Sequence, residues 1–455
     1  MYSITVKEIL EATNGKLLSG SEDTVITDLC TDSRLVKEGD LFVPIVGERD
    51  DGHMFIESAL KKAAATLTHE HSGVVISDKP YISVNDTKKA MQDIGAFFRD
   101  KFDIPVIGVT GSVGKTTTRE MIATALSGSA RVYQTEKNYN SQVGLPIALF
   151  HMDENAECAV LEMGMSEAGE MERLSEIARP TICAITMIGV AHIENLGSQE
   201  NIRREKLAIT SHMKPDGILF LNGDDALLKE MNGRLTVSTC YFGTEAWCEC
   251  RAENISMRSD YTYEYDYVHG DKRVHVHLNA LGRHNVINSL CGMSIADHLG
   301  HDLEKAAEQF ESFKGIRQKL IRIPNKYTII DDAYNASPDS MKASISVLSD
   351  IETDGRKIAV LGDMFELGEN SENYHYEVGQ FLADKDVDEL VVVGEASQMI
   401  RKAVEDAGCD IKCYSFKDNG EVVLYLLSVL NPNDVVLIKG SNGMNLKEVV
   451  DNLLG

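Results

Sequence analysis

A glycine-rich run between an apolar stretch and a helix-like stretch is the clearest chemical signal in the sequence. Glycines let the backbone turn so that successive N–H groups face a polyphosphate, and a following helix N-terminus adds its positive dipole end. In this arrangement Lys115 reaches the β and γ phosphates, and Thr116 offers its hydroxyl to Mg²⁺. The run, which predicts a nucleoside-triphosphate-binding loop, is Thr110, Gly111, Ser112, Val113, Gly114, Lys115, Thr116 and Thr117.

This loop is a variant of the common phosphate-binding loop. The strict spacing would place a glycine at position 109, where this chain has Val109. The apolar residues 106–109 before the loop and the helix-like residues 119–126 after it still supply the strand-loop-helix context. An ordinary structural turn is therefore the less favoured interpretation.

Two further residues follow apolar, strand-like runs and could take part in metal binding. Glu162 follows residues 158–161, and His192 follows residues 182–188. Open α/β sheets bind ligands at the carboxyl ends of their strands, and Mg²⁺ prefers carboxylate ligands. The sequence alone favours neither interpretation of Glu162, which could equally be a metal ligand or an ordinary surface glutamate.

The elements that must position these groups form three regions, which we predict to be three α/β domains. Residues 1–103 hold short strands, a helical stretch at 54–65 and a helix near 91–98. Residues 104–316 alternate buried strands with helices, and this pattern predicts a parallel sheet covered on both faces. Residues 317–455 repeat the alternation and predict a Rossmann-like, doubly wound domain.

Composition limits the possible partners and the cell compartment. The 71 acidic and 45 basic residues give a net charge of -26, which repels nucleic acid. The N-terminus lacks a signal-peptide pattern and no apolar run is long enough for a membrane span, so a cytoplasmic protein is expected. Nine scattered cysteines without a Cys-x-x-Cys pair predict reduced thiols. His275 and His277 share one face of a strand, which we predict to be exposed.

Further motifs extend over nearly the whole chain. They lie at residues 32–34, 51–55, 137–140, 143–146, 161–164, 282–288, 331–341, 361–368, 375 and 439–441. Together with the loop at 110–117 they resemble the Mur ligase family of peptidoglycan synthesis. The run at 331–341 is similar to that of the members that add D-alanyl-D-alanine.

The resemblance implies an ATP-dependent amide ligase. The terminal carboxylate of UDP-N-acetylmuramoyl-tripeptide attacks the γ-phosphate of ATP, and the amine of D-alanyl-D-alanine displaces the resulting acyl phosphate. The resemblance further implies that residues 1–103 bind the UDP-linked peptide and 104–316 bind ATP. Residues 317–455 are then expected to bind the dipeptide and to close on ATP. The protein is expected to be a monomer.

The same resemblance implies roles for individual residues. Lys115, Glu162, His192 and Lys206 are the expected catalytic group. Two Mg²⁺ ions are expected, one held by Thr116 and Glu162 and one by His192 and a carbamylated Lys206. Further expected ATP contacts are Asn138, His284, Asn285, Asn288, Arg317, Asp332 and Asn335. The expected uridine-diphosphate contacts are Ser33, Arg34, Gly52 and His53.

Some alternatives stay open at this point. Lys206 could lie on a plain solvated helix face, and Asp331 could serve mainly to start the helix that follows it. The chain could also be a related Mur-type or folylpolyglutamate-type ligase with another amino acceptor. A catalytically silent nucleotide-binding regulatory subunit is the alternative without enzyme activity.

Overall fold

Three β-sheets that follow one another along the chain organise the protein. A computed structural model describes residues 3–47, 50–69, 78–136, 138–315 and 317–455. The first sheet has five strands in the order β2-β7-β6-β5-β4, and a short β1–β3 pair lies beside it. The elements of this part are β1 (Ile4–Thr5), α1 (Val6–Thr13), β2 (Lys16–Ser19), β3 (Val25–Ile26), β4 (Asp28–Cys30), β5 (Asp40–Phe42), α2 (Ile56–Leu60), β6 (Ala65–Thr68), β7 (Tyr81–Ser83) and α3 (Thr87–Arg99).

The second sheet is the largest, with nine strands in the order β16-β15-β14-β13-β12-β11-β8-β10-β9. The elements of this part are β8 (Val106–Thr110), α4 (Lys115–Ser127), β9 (Val132–Gln134), α5 (Gly144–Phe150), β10 (Cys158–Glu162), α6 (Glu170–Ala178), β11 (Ile182–Ile185), α7 (Ile193–Leu196), α8 (Gln199–Leu207), β12 (Ile218–Asn222), α9 (Ala226–Lys229), β13 (Ser238–Gly243), β14 (Cys250–Met257), β15 (Tyr263–His269), β16 (Lys272–Leu278), α10 (His284–His298) and α11 (Leu303–Glu311).

Strand direction divides this sheet into two parts. Strands β8 to β14 are parallel, whereas β14, β15 and β16 pair antiparallel. The central strands β8, β10, β11 and β12 are buried along most of their length, as the continuous apolar runs predicted. Because β8, β10 and β11 are parallel neighbours, their carboxyl ends lie side by side at one edge of the sheet.

The third sheet has six strands in the order β17-β18-β22-β19-β20-β21, and all of them are parallel except β17. The elements of this part are β17 (Lys319–Arg322), β18 (Thr328–Asp332), α12 (Pro338–Asp350), β19 (Lys357–Gly362), α13 (Ser371–Ala383), β20 (Glu389–Val393), α14 (Gln398–Ala407), β21 (Lys412–Phe416), α15 (Asn419–Val429), β22 (Val435–Lys439) and α16 (Lys447–Leu454). Apolar helices cover both faces of this sheet.

Helix starts follow local capping chemistry. The predicted N-cap at Ser337 and first helical position at Pro338 are confirmed at the start of α12. The Ser337 side chain caps the helix together with Ser340, three residues on. Asp86 and Asp302 cap α3 and α11 in the same way, with side-chain oxygens that accept backbone N–H groups.

Several predicted boundaries were wrong. The helix predicted at 54–65 is a 3-10 turn over Gly52–Phe55 and a short α2, and residue 65 already belongs to β6. Helix α4 begins at Lys115 rather than at 119. Asp331 and Asp332 end strand β18 instead of following it. Strand β18 extends to Asp332 because Lys447 and Lys439 pair with the two carboxylates at its end.

The domain boundaries at 103/104 and 316/317 stay a prediction. The three large sheets span residues 16–83, 106–278 and 319–439, so none of them crosses either boundary. Residue 316 itself lies outside the described residues. None of the helices in the described ranges combines the length and the apolar character that crossing a membrane requires. All nine cysteines are free thiols, as predicted.

Candidate active site

The glycine-rich run forms a tight loop between β8 and α4. Gly111 and Gly114 have φ angles of 152° and 86°, which side-chain-bearing residues rarely adopt. The Thr186 hydroxyl, just beyond β11, donates to the Val113 carbonyl at 2.5 Å, and the Ser112 N–H donates to the Met187 carbonyl at 2.9 Å. The neighbouring strand therefore holds the loop in place.

Lys115 is the first residue of α4 and lies among other charged groups. Its Nζ donates to the Gly111 carbonyl at 2.8 Å. Burial lowers the pKa of its amine, Glu162 opposes that shift, and Arg317 adds to it. A lysine that folds back over the loop in this way presents its charge where a bound phosphate would lie.

Glu162 ends strand β10, and its side chain is buried rather than at the surface. Its Oε1 accepts from Asn140 Nδ2 at 2.7 Å, and its Oε2 lies 3.6 Å from Arg119 Nη1. This Oε2 accepts no hydrogen bond from the described residues. The structure thus excludes the surface-glutamate alternative and leaves one carboxylate oxygen available to a cation.

His192 and Lys206 extend the charged cluster. His192 precedes α7 with a φ of 63°, and its Nδ1 lies 2.6 Å from Glu366 Oε2 of the third sheet's region. Burial lowers the pKa of this imidazole, and Glu366 opposes the shift. Lys206 is only 1% exposed, so the solvated-helix-face alternative is wrong. Burial and the nearby Lys115 hold the pKa of its amine well below the usual range.

The start of α10 faces the loop from the other side. His284 begins this helix, and Asn285 and Asn288 follow on the side that is buried. Asn288 Oδ1 accepts from the Thr118 hydroxyl at 3.1 Å, and Asn288 Nδ2 donates to Asn285 Oδ1 at 2.9 Å. Desolvation by the surrounding protein lowers the pKa of His284 to about 4, although Asp332 opposes the shift, so its ring is neutral at physiological pH.

Residues of the third region reach toward the same loop. Arg317 Nη2 donates to the Thr116 hydroxyl at 3.4 Å, and its guanidinium lies over the Tyr334 ring, 3.2 Å from the centroid. Lys439 Nζ donates to Asp332 Oδ2 at 2.7 Å and to the Asn335 carbonyl at 3.0 Å. Lys439 therefore fixes Asp332 and Asn335 beside each other.

A cavity of about 1540 Å³ lies between these groups. Thr110, Gly111 and Lys206 are buried and are not among the residues that line it. The predicted site residues on the wall itself are Ser112, Val113, Gly114, Lys115, Thr116, Thr117, Asn138, Glu162, His192, His284, Asn285, Asn288, Arg317, Asp332 and Asn335. The structure thus brings nearly all the predicted nucleotide and metal residues around one cavity.

The donor set fits one of the two expected Mg²⁺ sites as it stands. Glu162 Oε2 is a buried carboxylate oxygen that no described residue hydrogen-bonds, and Thr116 supplies a hydroxyl on the same wall. Both are hard oxygen ligands of the kind Mg²⁺ prefers. Lys206 as a plain amine does not fit a cation, whereas a carbamate on its nitrogen would supply the missing oxygens.

The residues predicted to contact uridine diphosphate lie in the first region, away from this cavity. Ser33 and Arg34 follow β4, and the Arg34 guanidinium pairs with Asp32 at 2.6 Å, which lowers the pKa of that carboxyl to about 2. Gly52 approaches the backbone of Ile45 too closely for a side chain. His53 is buried, and its Nδ1 lies 2.7 Å from Asp51 Oδ1.

Several residues in contact with the cluster were not among the predicted site residues. They are Arg119 and Asn140 beside Glu162, Glu366 beside His192, and Lys439 beside Asp332. Asn140 and Lys439 lie in motifs that the sequence displays, and this was the available signal for them. Glu366 also lies in such a motif, at 361–368. Arg119 becomes visible only when the face of its helix is placed in space.

Comparison with known proteins agrees with this arrangement. Three family models match: "Mur ligase family, catalytic domain" over residues 25–99, "Mur ligase middle domain" over 109–296, and "Mur ligase, glutamate ligase domain" over 316–442. The chain is 35% identical to UDP-N-acetylmuramoyl-tripeptide--D-alanyl-D-alanine ligase of Bacillus subtilis, across 100% of this chain and 99% of that protein. It is 29% identical to the Escherichia coli enzyme of the same name, across 99% and 98%.

Solved structures give the same result. MurF from Acinetobacter baumannii superposes with a TM-score of 0.91 at 27% identity, over 100% of this chain and 99% of that chain. MurF ligase from Thermotoga maritima in complex with ADP superposes with a TM-score of 0.81 at 28% identity, over 93% and 96%. The chain belongs to the Mur ligase family.

Proposed function

We propose that this chain is an ATP-dependent ligase that joins D-alanyl-D-alanine to UDP-N-acetylmuramoyl-tripeptide, and so forms a peptidoglycan precursor. Full-length relatives that carry this activity in their names support the assignment of the substrates. The observation that carries the chemistry is one cavity whose wall carries Lys115, Glu162, Arg317 and Asp332 together. We place this reaction in the cytoplasm, with the chain acting as a monomer.

The first chemical task is to activate a carboxylate, because a carboxylate does not react with an amine at a useful rate. Transfer of the γ-phosphoryl group of ATP to the peptide carboxylate concentrates negative charge on phosphate oxygens. We assign Lys115 and the N–H groups of residues 111–117 to offset this charge. A preorganised cation in a cavity with little water is worth far more than the same cation in bulk water.

We assign Thr116 and Glu162 to one Mg²⁺ ion, and His192 with a carbamylated Lys206 to a second. Bound Mg²⁺ would draw charge away from the phosphate oxygens. The lowered pKa of Lys206 supports carbamylation, because only the neutral amine attacks carbon dioxide. The carbamate would also place an anion beside Lys115, where a protonated Lys206 would be repelled.

The two sides of the cavity divide the binding of ATP. We assign Asn138, His284, Asn285 and Asn288 of the central region to the nucleotide. Arg317, Asp332 and Asn335 contribute from residues 317–455, which also supply the dipeptide pocket. Contacts from both regions predict that nucleotide binding draws the two regions together, and this closure excludes water from the acyl phosphate.

The first region supplies the remaining substrate contacts in this proposal. We assign Ser33, Arg34, Gly52 and His53 to the uridine diphosphate of the peptide substrate. Arg34 is the cation suited to the diphosphate, since its side chain is 85% exposed and, within the described ranges, forms an ion pair with Asp32 alone. Charge-assisted contacts of arginine with phosphate are among the stronger hydrogen bonds.

The proposed function is tested by the dependence of phosphate release on both substrates. The purified chain is mixed with Mg-ATP, UDP-N-acetylmuramoyl-tripeptide and D-alanyl-D-alanine, and mass spectrometry follows the pentapeptide product. We expect phosphate and pentapeptide in equal amounts, and only when all three substrates are present. Tripeptides with either lysine or diaminopimelate as third residue are assayed in parallel.

Lys115→Ala is the matched inactive control, with a loss of rate of about 10²-fold or more because one oriented charge is removed. Phosphate release that does not need the dipeptide, or equal rates with unrelated amines, would exclude the proposed acceptor. ATP binding without any turnover would instead favour a silent regulatory subunit.

A further inference from the structure

The antiparallel hairpin of β15 and β16 carries a polar cluster outside the active-site cavity. In the strand register Glu264 lies directly opposite His277, and Asp266 lies directly opposite His275. Side chains directly opposite on an antiparallel pair share one face of the sheet. The predicted exposed strand face is confirmed, since the His275 and His277 side chains are 49% and 39% exposed.

Three donor atoms on this face converge on one point. Glu264 Oε2 lies 3.9 Å from His275 Nε2 and 3.8 Å from His277 Nδ1. The three atoms all lie within 4.8 Å of one another, and the two imidazole rings meet edge to face at 4.5 Å between centroids. A tetrahedral zinc ion spaces its donors about 3.4 Å apart, so each pair must close by roughly 0.5–1.5 Å. Rotation of exposed side chains on a rigid hairpin can supply that movement.

Neighbouring residues already hold these donors in the orientation a metal needs. Asp266 Oδ1 lies 2.8 Å from His275 Nδ1, which leaves His275 Nε2 directed at Glu264. The Ser256 hydroxyl donates to Glu264 Oε1 at 2.9 Å, which leaves Oε2 directed at the imidazoles. A carboxylate on the far nitrogen of a metal-bound histidine is the usual outer support of zinc sites, since it fixes the ring and its tautomer.

A cation already takes part in this cluster. The Arg258 guanidinium, in the turn between β14 and β15, contacts His277 Nδ1 through its Nη1. The lone pair of that nitrogen therefore faces a positive charge, as it would face a metal ion. Because the Arg258 side chain is 41% exposed, it can swing into solvent when another cation arrives.

We infer that Glu264, His275 and His277 form a binding site for a zinc-like divalent transition-metal ion. Two imidazole nitrogens and one carboxylate oxygen match zinc, whose catalytic and exposed sites often use three protein ligands and a water molecule. Mg²⁺ prefers oxygen ligands, so this site is distinct in chemistry from the cavity. The inference does not depend on the proposed ligase activity.

Calorimetric titration of the full chain with ZnCl₂, after treatment with EDTA and in excess Mg²⁺, tests the site. We expect one zinc ion per chain to bind at this hairpin. His275→Ala and His277→Ala should each weaken its binding at least about tenfold, because each removes one of three ligands. Arg258→Gln should strengthen binding severalfold, since a competing positive charge is removed.

His212→Ala provides the matched control, because this exposed histidine lies outside the hairpin. The His212→Ala variant should bind zinc with the affinity of the wild type. Co²⁺ serves as a second probe, and four-coordinate cobalt absorption should appear in the wild type and be lost in His275→Ala. Zinc that binds the wild type, His275→Ala and His277→Ala with equal affinity overturns the proposal, and so does the absence of binding in excess Mg²⁺.

Discussion

His375 in α13 is fully buried and uses both of its ring nitrogens. Its Nε2 accepts from the Met364 N–H at 2.9 Å, and its Nδ1 donates to the Ser371 carbonyl at 2.7 Å. This pairing requires the neutral ring, and burial lowers the pKa of the imidazole. The histidine thereby fixes the loop after β19, which carries Glu366 to its contact with His192.

The lowered pKa of His375 predicts that the folded protein loses stability in acid. In the unfolded chain the histidine pKa is about 6.5, so the unfolded state takes up a proton first as the pH falls. The free energy of unfolding should therefore fall below pH 6.5, by at most about 1.4 kcal/mol per pH unit from this group. Urea unfolding between pH 5 and 7 measures it, and His375→Gln should flatten the slope while His212→Gln should not. An equal pH dependence of unfolding in the wild type and both variants would contradict the role assigned to His375.

Individual site residues could be predicted to different degrees. Lys115, Glu162 and His192 follow strand-like runs, so the edge where they meet could be inferred from the sequence. Lys206 could be inferred only by resemblance, because its burial in α8 depends on packing that no local pattern records. Arg119 was missed for the same reason, since the face of α4 that meets Glu162 is set by the sheet.

The loop between β8 and α4 depends on a neighbouring strand. A methyl group on Gly111 would lie 1.8 Å from Thr186 Oγ1, and this hydroxyl is the donor that holds the Val113 carbonyl. Gly111 also has a φ angle at which other residues are strained. The loop therefore needs glycine here for its backbone conformation and for its contact with the end of β11.

Gly111→Ala should cost more than backbone strain alone. We expect a loss of stability of about 2–4 kcal/mol, together with loss of nucleotide binding, because the Thr186 contact must break. Gly169→Ala is the matched control, since Gly169 also has a positive φ of 83° but has nothing within 4 Å of an added methyl. That variant should lose only about 1–2 kcal/mol. Thermal unfolding and nucleotide titration compare the two variants. Equal losses of stability would show that backbone strain alone accounts for the effect of Gly111→Ala.

Elements were easier to predict than their ends. The apolar runs of β8, β10 and β22 identify buried strands, and the capping pair at Ser337 and Pro338 identifies the start of α12. The end of β18 was misplaced because Asp331 and Asp332 are acidic, yet Lys447 and Lys439 pair with them at the strand end. Partners more than a hundred residues away were needed to extend this strand.

The three sheets could be predicted from the alternation of strands and helices, but their mutual arrangement could not. The cavity depends on contacts such as Arg317 with Thr116, Glu366 with His192, and the Tyr261 hydroxyl with the Glu352 carbonyl at 2.8 Å. Each joins residues whose sequence neighbours give no indication of the partner. The position of the cavity between two regions therefore emerges only in the folded chain.

The acidic character of the whole chain has a consequence for its stability. A net charge of -26 makes the folded state repel itself, and salt screens repulsion between exposed charges over a distance of about 10 Å at 0.1 M. Attractive pairs whose carboxylates are buried are better protected from salt. Arg356 pairs with Glu389 and Asp434 at 2.5 and 2.6 Å, and these carboxylates are 3% and 2% exposed.

Screening should therefore weaken repulsion more than attraction. We expect the midpoint of thermal unfolding to rise by a few degrees when NaCl is raised from low concentration to about 0.2 M, where the screening length falls below 10 Å. Differential scanning fluorimetry measures this, and KCl should act equally because the effect depends on ionic strength. A midpoint that falls with salt would show that exposed ion pairs outweigh the excess of acidic charge.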